Sequence, residues 1–302
     1  MDTQLPTPRG TNRARRARIV HRVLVVTIGF LMAVAVVSIV VAYAVSESLI
    51  NKTYHVEQNL LELPAVAADA GRGERLVLGI LRCTQCHERD LGGKIVVDTE
   101  IGRVVAPNLT AGTGGLGRKL SDAQWVSAIR HGVGRDGKGL WMMPTARFRH
   151  LDDADVSDVV AFLRTLPPID REPGSSQLGL LGRLVHAMGK LVLISAQESR
   201  VEDTKDPLNS VDQGRHLSEL GGCASCHGGE AEEGEGIHAA GDLVHGAFRT
   251  WTYEDFVKAM RQGIRPDGEP MSEGMPWPEV GRLNDTELKA LFDYYRSLGT
   301  AG

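Results

Sequence analysis

The sequence predicts an all-α fold: one transmembrane helix followed by two tandem copies of a single helical domain. Three observations carry that expectation. An uncharged apolar run extends from Val23 to Val45. Beyond it, a long stretch of sequence recurs, displaced by 131 to 132 positions. Within each copy, apolar residues return at helical spacing between glycine-rich loops, with no convincing run of the period-two alternation that marks a strand.

The apolar run is taken first. At about 1.5 Å per residue it spans roughly 34 Å, enough for a bilayer core of about 30 Å. Arg9, Arg13, Arg15, Arg16, Arg18 and Arg22 precede it. By the positive-inside rule they leave residues 1–22 as a cytoplasmic tail, make 23–45 the membrane helix and send the rest of the chain across. A cleaved signal peptide is the alternative, since Ala42-Tyr43-Ala44 resembles a small-residue cleavage site; the run is longer than the usual signal core of about 7 to 15 residues. Either way the globular part is exported. The chain has 302 residues, 42% hydrophobic and 24% charged, which suits two ordinary domains and excludes wholesale disorder or a polytopic membrane protein. A formal net charge of -4 excludes a nucleic-acid partner, which calls for a concentrated basic surface.

The repeat is extensive. Trp125-Val126-Ser127-Ala128-Ile129-Arg130-His131-Gly132 matches Phe256-Val257-Lys258-Ala259-Met260-Arg261-Gln262-Gly263, and Asp136-Gly137 matches Asp267-Gly268. Met143-Pro144 matches Met275-Pro276, and Val156, Val159, Phe162, Arg164 and Leu166 match Leu288, Leu291, Tyr294, Arg296 and Leu298. Each copy is therefore a domain, residues 71–168 and 208–302. Residues 46–70 form a tether that can dock onto the first domain, and 169–207 form a linker. In the linker, the apolar segment Leu178 to Ala196, interrupted by Arg183, His186 and Lys190, predicts an amphipathic helix packed between the domains or onto a partner.

Helix signals recur in both copies. Asp152 with Asp155, and Asn284 with Glu287, are capping-box pairs ahead of apolar faces. Further helices, Gly71 to Arg82 and Val211 to Leu220, lead into Cys83-Thr84-Gln85-Cys86-His87 and Cys223-Ala224-Ser225-Cys226-His227. A covalent c-type haem needs two thiols at a fixed separation, one for each vinyl group, and an adjacent histidine for the iron. Both motifs meet those needs, and they use all 4 cysteines. A zinc ribbon would bring its paired cysteines within about 15 to 20 residues, far closer than Cys86 and Cys223. A thioredoxin-like pair needs βαβ units that the pattern lacks.

On these motifs, each half resembles a class I cytochrome c domain, in which a later methionine completes the iron coordination. The linked pair resembles the cytochrome subunits of bacterial membrane-bound alcohol and aldehyde dehydrogenases and related quinol-linked dihaem cytochromes. The shared features are Pro107-Asn108-Leu109-Thr110, Ile129-Arg130-His131-Gly132-Val133, Met143-Pro144 and Leu163-Arg164-Thr165-Leu166-Pro167-Pro168. The dehydrogenase subunits usually bear three haem motifs and this chain has two; its second half also lacks the Asn-Leu-Thr loop and carries the acidic stretch Glu230 to Glu235.

The resemblance implies two covalently bound haem c groups held by Cys83, Cys86, Cys223 and Cys226, with His87 and His227 on the irons. Met143 and Met275 are the methionines in register, each before a proline that fixes the backbone. Met142 and Met271 are their alternates; His131 or His150 would make the first haem bis-histidine, and His238 or His245 the second. Pro107 is placed to orient His87 through its other ring nitrogen. Trp125 either walls the haem crevice or is plain core. Arg130 and Arg261 either pair with haem propionates or lie on solvated helix faces.

The function implied is one-electron transfer on the periplasmic side of a bacterial inner membrane, from a quinol-oxidising or dehydrogenase complex to a terminal oxidase or soluble cytochrome. The competing class is a dihaem enzyme, such as a peroxidase or thiosulfate dehydrogenase, which needs an iron with an open position.

Overall fold

The computed structural model describes residues 9–57, 63, 67–196, 209–227 and 247–300. The N-terminal helix α1 runs from Arg9–Ile50, and its stretch from Arg15 is long and apolar enough to cross a membrane. The first repeat follows with α2 (Ala70–Arg75), a π-helical turn over Leu76–Ile80, α3 (Cys83–His87), β1 (Lys94–Thr99), β2 (Gly102–Ala106), α4 (Asp122–His131), α5 (Thr145–Phe148) and α6 (Asp153–Thr165). The linker contributes β3 (Gln177–Leu178) and α7 (Leu180–Ala187). The second repeat comprises α8 (Ser210–Gly221), α9 (Ala224–His227), α10 (Ala247–Thr250), α11 (Tyr253–Gln262), α12 (Trp277–Val280) and α13 (Asp285–Thr300).

Capping explains where several helices begin. Ser121 with Gln124, Asp152 with Asp155 and Thr252 with Asp255 close reciprocal boxes at α4, α6 and α11, and Asn284 and Glu287 exchange the same two bonds ahead of α13. In each repeat the first and last helices cross at a glycine. A Cβ on Gly73 would overlap the Asp158 carbonyl oxygen, and one on Gly214 would overlap that of Ala290, the repeat mate of Asp158.

The all-α expectation needs one correction, because β1, β2 and β3 form a three-stranded antiparallel sheet. The register slips between Ile95 and Val97, and this bulge breaks the period-two alternation that would have disclosed the strand. The entry helix is also not continuous. It widens into a π-turn in which Gly79 leaves helical geometry (φ -99, ψ -107), beside the Glu279 carbonyl of the second repeat.

The two repeats pack reciprocally, each presenting the same parts to the other. α5 meets α8, and α12 meets the π-turn. Asp155 of the α6 box bonds His216 on α8 at 2.6 Å, while Glu287 of the α13 box pairs with Arg75 on α2 at 3.1 Å. One hydrophobic core continues through both, from Leu76, Ile80 and Val126 to Leu217, Leu220 and Leu288.

Within the chain, the linker helix α7 packs against α1 and β3. Ser46 Oγ lies 3.1 Å from His186 Nδ1, Arg183 pairs with Glu47 at 2.7 Å, and the Arg183 guanidinium sits 4.1 Å from the centre of the Tyr43 ring. The tether docks on the first repeat, where Tyr54 N–H donates to the Gly137 carbonyl at 2.8 Å.

Candidate functional site

In the first repeat the backbone delivers the motif histidine to a fixed acceptor. Asn108 is fully buried; its side chain donates to the carbonyls of Ile169 (2.6 Å) and Arg171 (3.2 Å) and accepts from Thr110 N–H (2.9 Å). This clamps the loop so that the Pro107 carbonyl lies 2.8 Å from His87 Nδ1. A buried histidine whose Nδ1–H donates in this way keeps Nε2 as its lone-pair nitrogen, the state a metal ligand requires. Burial also lowers the His87 pKa, which favours the neutral ring. The Cys83 thiol is pushed up to about 12, chiefly by burial and then by Cys86 beside it, and burial raises Cys223 as well.

The second repeat holds an apolar pocket that is partly open to solvent. Cys223, His227, Met271 and Met275 line it, together with Trp251, Phe256, Met260 and Tyr295. A flat, largely apolar macrocycle with a central metal fits this lining of hydrocarbon, thiol, imidazole and thioether.

The two methionine loops are built alike. Pro144 and Pro276 take nearly the same backbone angles (φ -78, ψ 53 and φ -79, ψ 52), and each starts a short helix. Thr145 N–H bonds Met143 O, and Trp277 N–H bonds Met275 O, both at 2.8 Å. Met143 packs against the core, whereas Met142 holds a left-handed backbone (φ 55) and is 49% exposed. In the second repeat both Met271 and Met275 reach the cavity.

The remaining candidates separate clearly. Trp125 is buried, and its indole N–H has no partner among the described residues. His131 is buried with its Nε2 in the same condition, and its pKa is drawn down to about 4, chiefly by burial and then by Arg130. His150 faces Glu219 across the interface at 3.9 Å. Arg130 is buried and fixed to the Leu151 carbonyl (2.9 Å) and Asp153 (2.7 Å); Arg261 makes the matching contacts with Leu283 (3.4 Å) and Asp285 (2.6 Å). Both guanidiniums thus join α4 or α11 to the start of the last helix of the repeat. Neither is an idle residue on a solvated helix face. Glu230 to Glu235, His238 and His245 lie outside the described residues.

Sequence reasoning missed two arginines. Arg82 and Arg147 both donate to the Gly221 carbonyl, at 3.0 and 2.8 Å, immediately ahead of the second motif. The signal for Arg82 was its place: it precedes Cys83 where glycine precedes Cys223.

Comparison with known proteins agrees with this geometry. The family model for cytochrome c matches residues 70–167 and 211–299. A diheme cytochrome c-type protein of Cereibacter sphaeroides is 27% identical over 268 residues, covering 76% of this chain and 86% of that one. One of the subunits of the nicotinate dehydrogenase of Pseudomonas putida is 29% identical over 247 residues, 72% of this chain and 20% of its own length. The cytochrome c subunit of the quinone alcohol dehydrogenase of Gluconobacter oxydans is 30% identical over 127 residues, 37% of this chain and 26% of that one. The chain therefore spans about a fifth to a quarter of the two dehydrogenase subunits and most of the diheme cytochrome. With two matched regions and a diheme relative, two haem c groups are bound covalently.

Proposed function

The chain belongs to the cytochrome c family, and from that premise we propose that it is a membrane-anchored dihaem electron carrier. It works on the periplasmic side of the inner membrane, between a quinol-linked or dehydrogenase complex and a terminal acceptor. When bound, each haem supplies a one-electron ferric/ferrous couple.

The protein's residues do the rest. Cys83 and Cys86 would hold the first haem and Cys223 and Cys226 the second, with His87 and His227 as the imidazoles for the irons. The Pro107 carbonyl fixes the His87 ring and its tautomer. Met143 and Met275 would each supply a thioether to an iron, and a thioether ligand would favour the reduced state relative to a second imidazole. Trp125 offers its buried N–H to the first haem. α1 anchors the chain, and the contacts of α7 with Tyr43, Ser46 and Glu47 set the first repeat beside the end of that anchor.

The observation that carries this proposal is the second-repeat cavity, which brings His227 and Met275 to one apolar crevice, together with the same Met-Pro loop geometry in the first repeat. A carrier with both irons closed differs from a dihaem peroxidase or thiosulfate dehydrogenase, which needs one iron open. Pyridine haemochrome analysis of the purified chain is expected to give two c-type haems; a value near one overturns the dihaem carrier. Peroxide or thiosulfate turnover at an enzyme-like rate by the isolated protein replaces it with the enzyme.

A further inference from the structure

The reciprocal packing of the repeats has one place where the symmetry fails. The residue just before each attachment motif holds a left-handed backbone. In the second repeat it is Gly222 (φ 65, ψ 33), the ordinary choice, while in the first it is Arg82 (φ 54, ψ 41). A side chain at such a position strains the backbone, because its Cβ crowds the following carbonyl oxygen. A non-glycine residue kept there points to a function for its side chain.

The Arg82 side chain crosses to the second repeat, where its guanidinium donates to the Gly221 carbonyl at 3.0 Å. Arg147 reaches the same carbonyl at 2.8 Å from α5, the short helix after the Met143 loop. The Arg147 side chain also lies against Gly222 closely enough that a Cβ there would meet its Cδ at 2.6 Å. The repeat mate of Arg147 is Glu279, so no matching positive pair serves the other side of the interface. Burial, then the charge of Arg82, lowers the Arg147 pKa, and its guanidinium is near enough to interact electrostatically with Cys83, Cys86 and Cys223. Two like charges gathered half-buried on one carbonyl are unfavourable unless something nearby offsets them.

We propose that Arg82 and Arg147 form a positive clamp shared by the two haem sites, holding the attachment loops together and raising the reduction potentials of both haems at once. The clamp rests on the assignment of the haems to the two Cys-x-x-Cys-His motifs. Its charge stands between the two motifs, so it favours the reduced form of each haem. Its hydrogen bonds fix the Gly221 carbonyl, so the spacing of the loops depends on it as well. These are positioning residues, set apart from the iron ligands.

The test is spectroelectrochemical titration of the full-length, haem-loaded chain in detergent, with Arg147→Gln, Arg147→Lys and Arg82→Gly compared with wild type. Arg82→Gly is the cleanest variant, because glycine suits the left-handed backbone and the repeat mate already uses it. In Arg147→Gln and Arg82→Gly, both haems are expected to become roughly tenfold easier to oxidise, a fall of about 59 mV for a one-electron couple. Arg147→Lys should recover most of that shift, since it restores the charge. Two haems per chain with unchanged potentials, or a shift confined to one haem, overturns the clamp. Wild-type protein with haem missing from either motif overturns the underlying assignment instead.

Discussion

The two methionine loops share a sequence pattern and a backbone, yet the molecule supports them differently. Each closes on itself in the same way: Leu140 N–H bonds Gly132 O, and its mate Met271 N–H bonds Gly263 O, at 2.7 and 2.8 Å. The first loop is also strapped by the linker. Met142 N–H donates to Leu193 O, Ser195 N–H donates to Leu140 O, both at 2.9 Å, and the Thr145 hydroxyl bonds the Ser195 carbonyl. Among the described residues the second loop has only its own turn bonds, and it borders the open cavity. The proline sets the loop's shape from within; how firmly the loop is held depends on chain segments far away in sequence.

The largest effect that tests this contrast is loss of a ligand. Met143→Ala should abolish the near-infrared band of the first methionine-ligated ferric haem completely, because its neighbour Met142 points outward. Met275→Ala should leave a residual band that disappears only in the Met271→Ala/Met275→Ala double variant, since both sulfur side chains line the cavity. An unchanged band in Met143→Ala would hand the first iron to another ligand, with His131 first in line because its buried Nε2 lacks a partner among the described residues.

Where the repeats are built alike, the responses should be equal. Gly73→Ala and Gly214→Ala each force a methyl group onto a carbonyl of the crossing helix. Each should destabilise the protein by about 1 to 3 kcal/mol, the usual range for overpacking. Because one core runs through both repeats, thermal unfolding followed by circular dichroism should stay a single transition in both variants. A split transition in either one would mean that the repeats unfold independently.

The reciprocal ion pairs should differ with pH. Burial opposes the charge on His216, but its bond to Asp155 and the charges of Asp155 and Asp152 outweigh this and raise its pKa. Burial likewise opposes charge on Asp155, but His216 and Arg72 hold its pKa low. A raised histidine pKa gives stability that is fully present below the unfolded value of about 6.5 and is lost as pH rises through the folded value. The depressed Asp155 gives stability that is present above its unfolded value and lost as pH falls through the folded one. His216→Gln should therefore cost about 1.5 to 3 kcal/mol near pH 6, as expected for a hydrogen bond between charged groups, and progressively less at alkaline pH. The other pair contains no histidine, so Arg75→Gln should cost the same at both ends. Melting temperatures of the two variants across pH 6 to 9 separate these outcomes.

Much of this organisation was legible in the sequence because the duplication exposes it. The match between Met143-Pro144 and Met275-Pro276 singled out two loops that prove to share a backbone, and the pairs Asp152/Asp155 and Asn284/Glu287 marked real helix starts. The sheet was hidden, since the bulge at Ile95 and Val97 removes the alternation that marks a strand, and β3 has only two residues. The motifs are displaced by 140 positions but Trp125 and Phe256 by 131, so the first repeat and the second differ in length between these points, and the β1–β2 hairpin lies in that stretch of the first. The π-turn and the arginine clamp were equally hidden. Both answer to the other repeat across the interface, and no local pattern records that contact. The matching positions of Arg130 and Arg261 correspond to a shared structural contact, with the carbonyls of Leu151 and Leu283, that the sequence alone did not disclose.

The smallest effect addresses the strap itself. α7 leads directly into the segment that covers the first loop, and Arg183 ties α7 to Glu47 while sitting over Tyr43. A partly exposed ion pair of this kind contributes about 0 to 1 kcal/mol, so Arg183→Ala should leave the melting temperature almost unchanged. Its influence should instead be local. If the strap holds the first loop from outside, loosening α7 should speed amide exchange at Met142 and Ser195 several-fold while Met271 keeps its wild-type rate. Equal acceleration in both loops, read by hydrogen–deuterium exchange mass spectrometry, would mean that the strap and α7 move independently and that the two loops are held by their own turns alone.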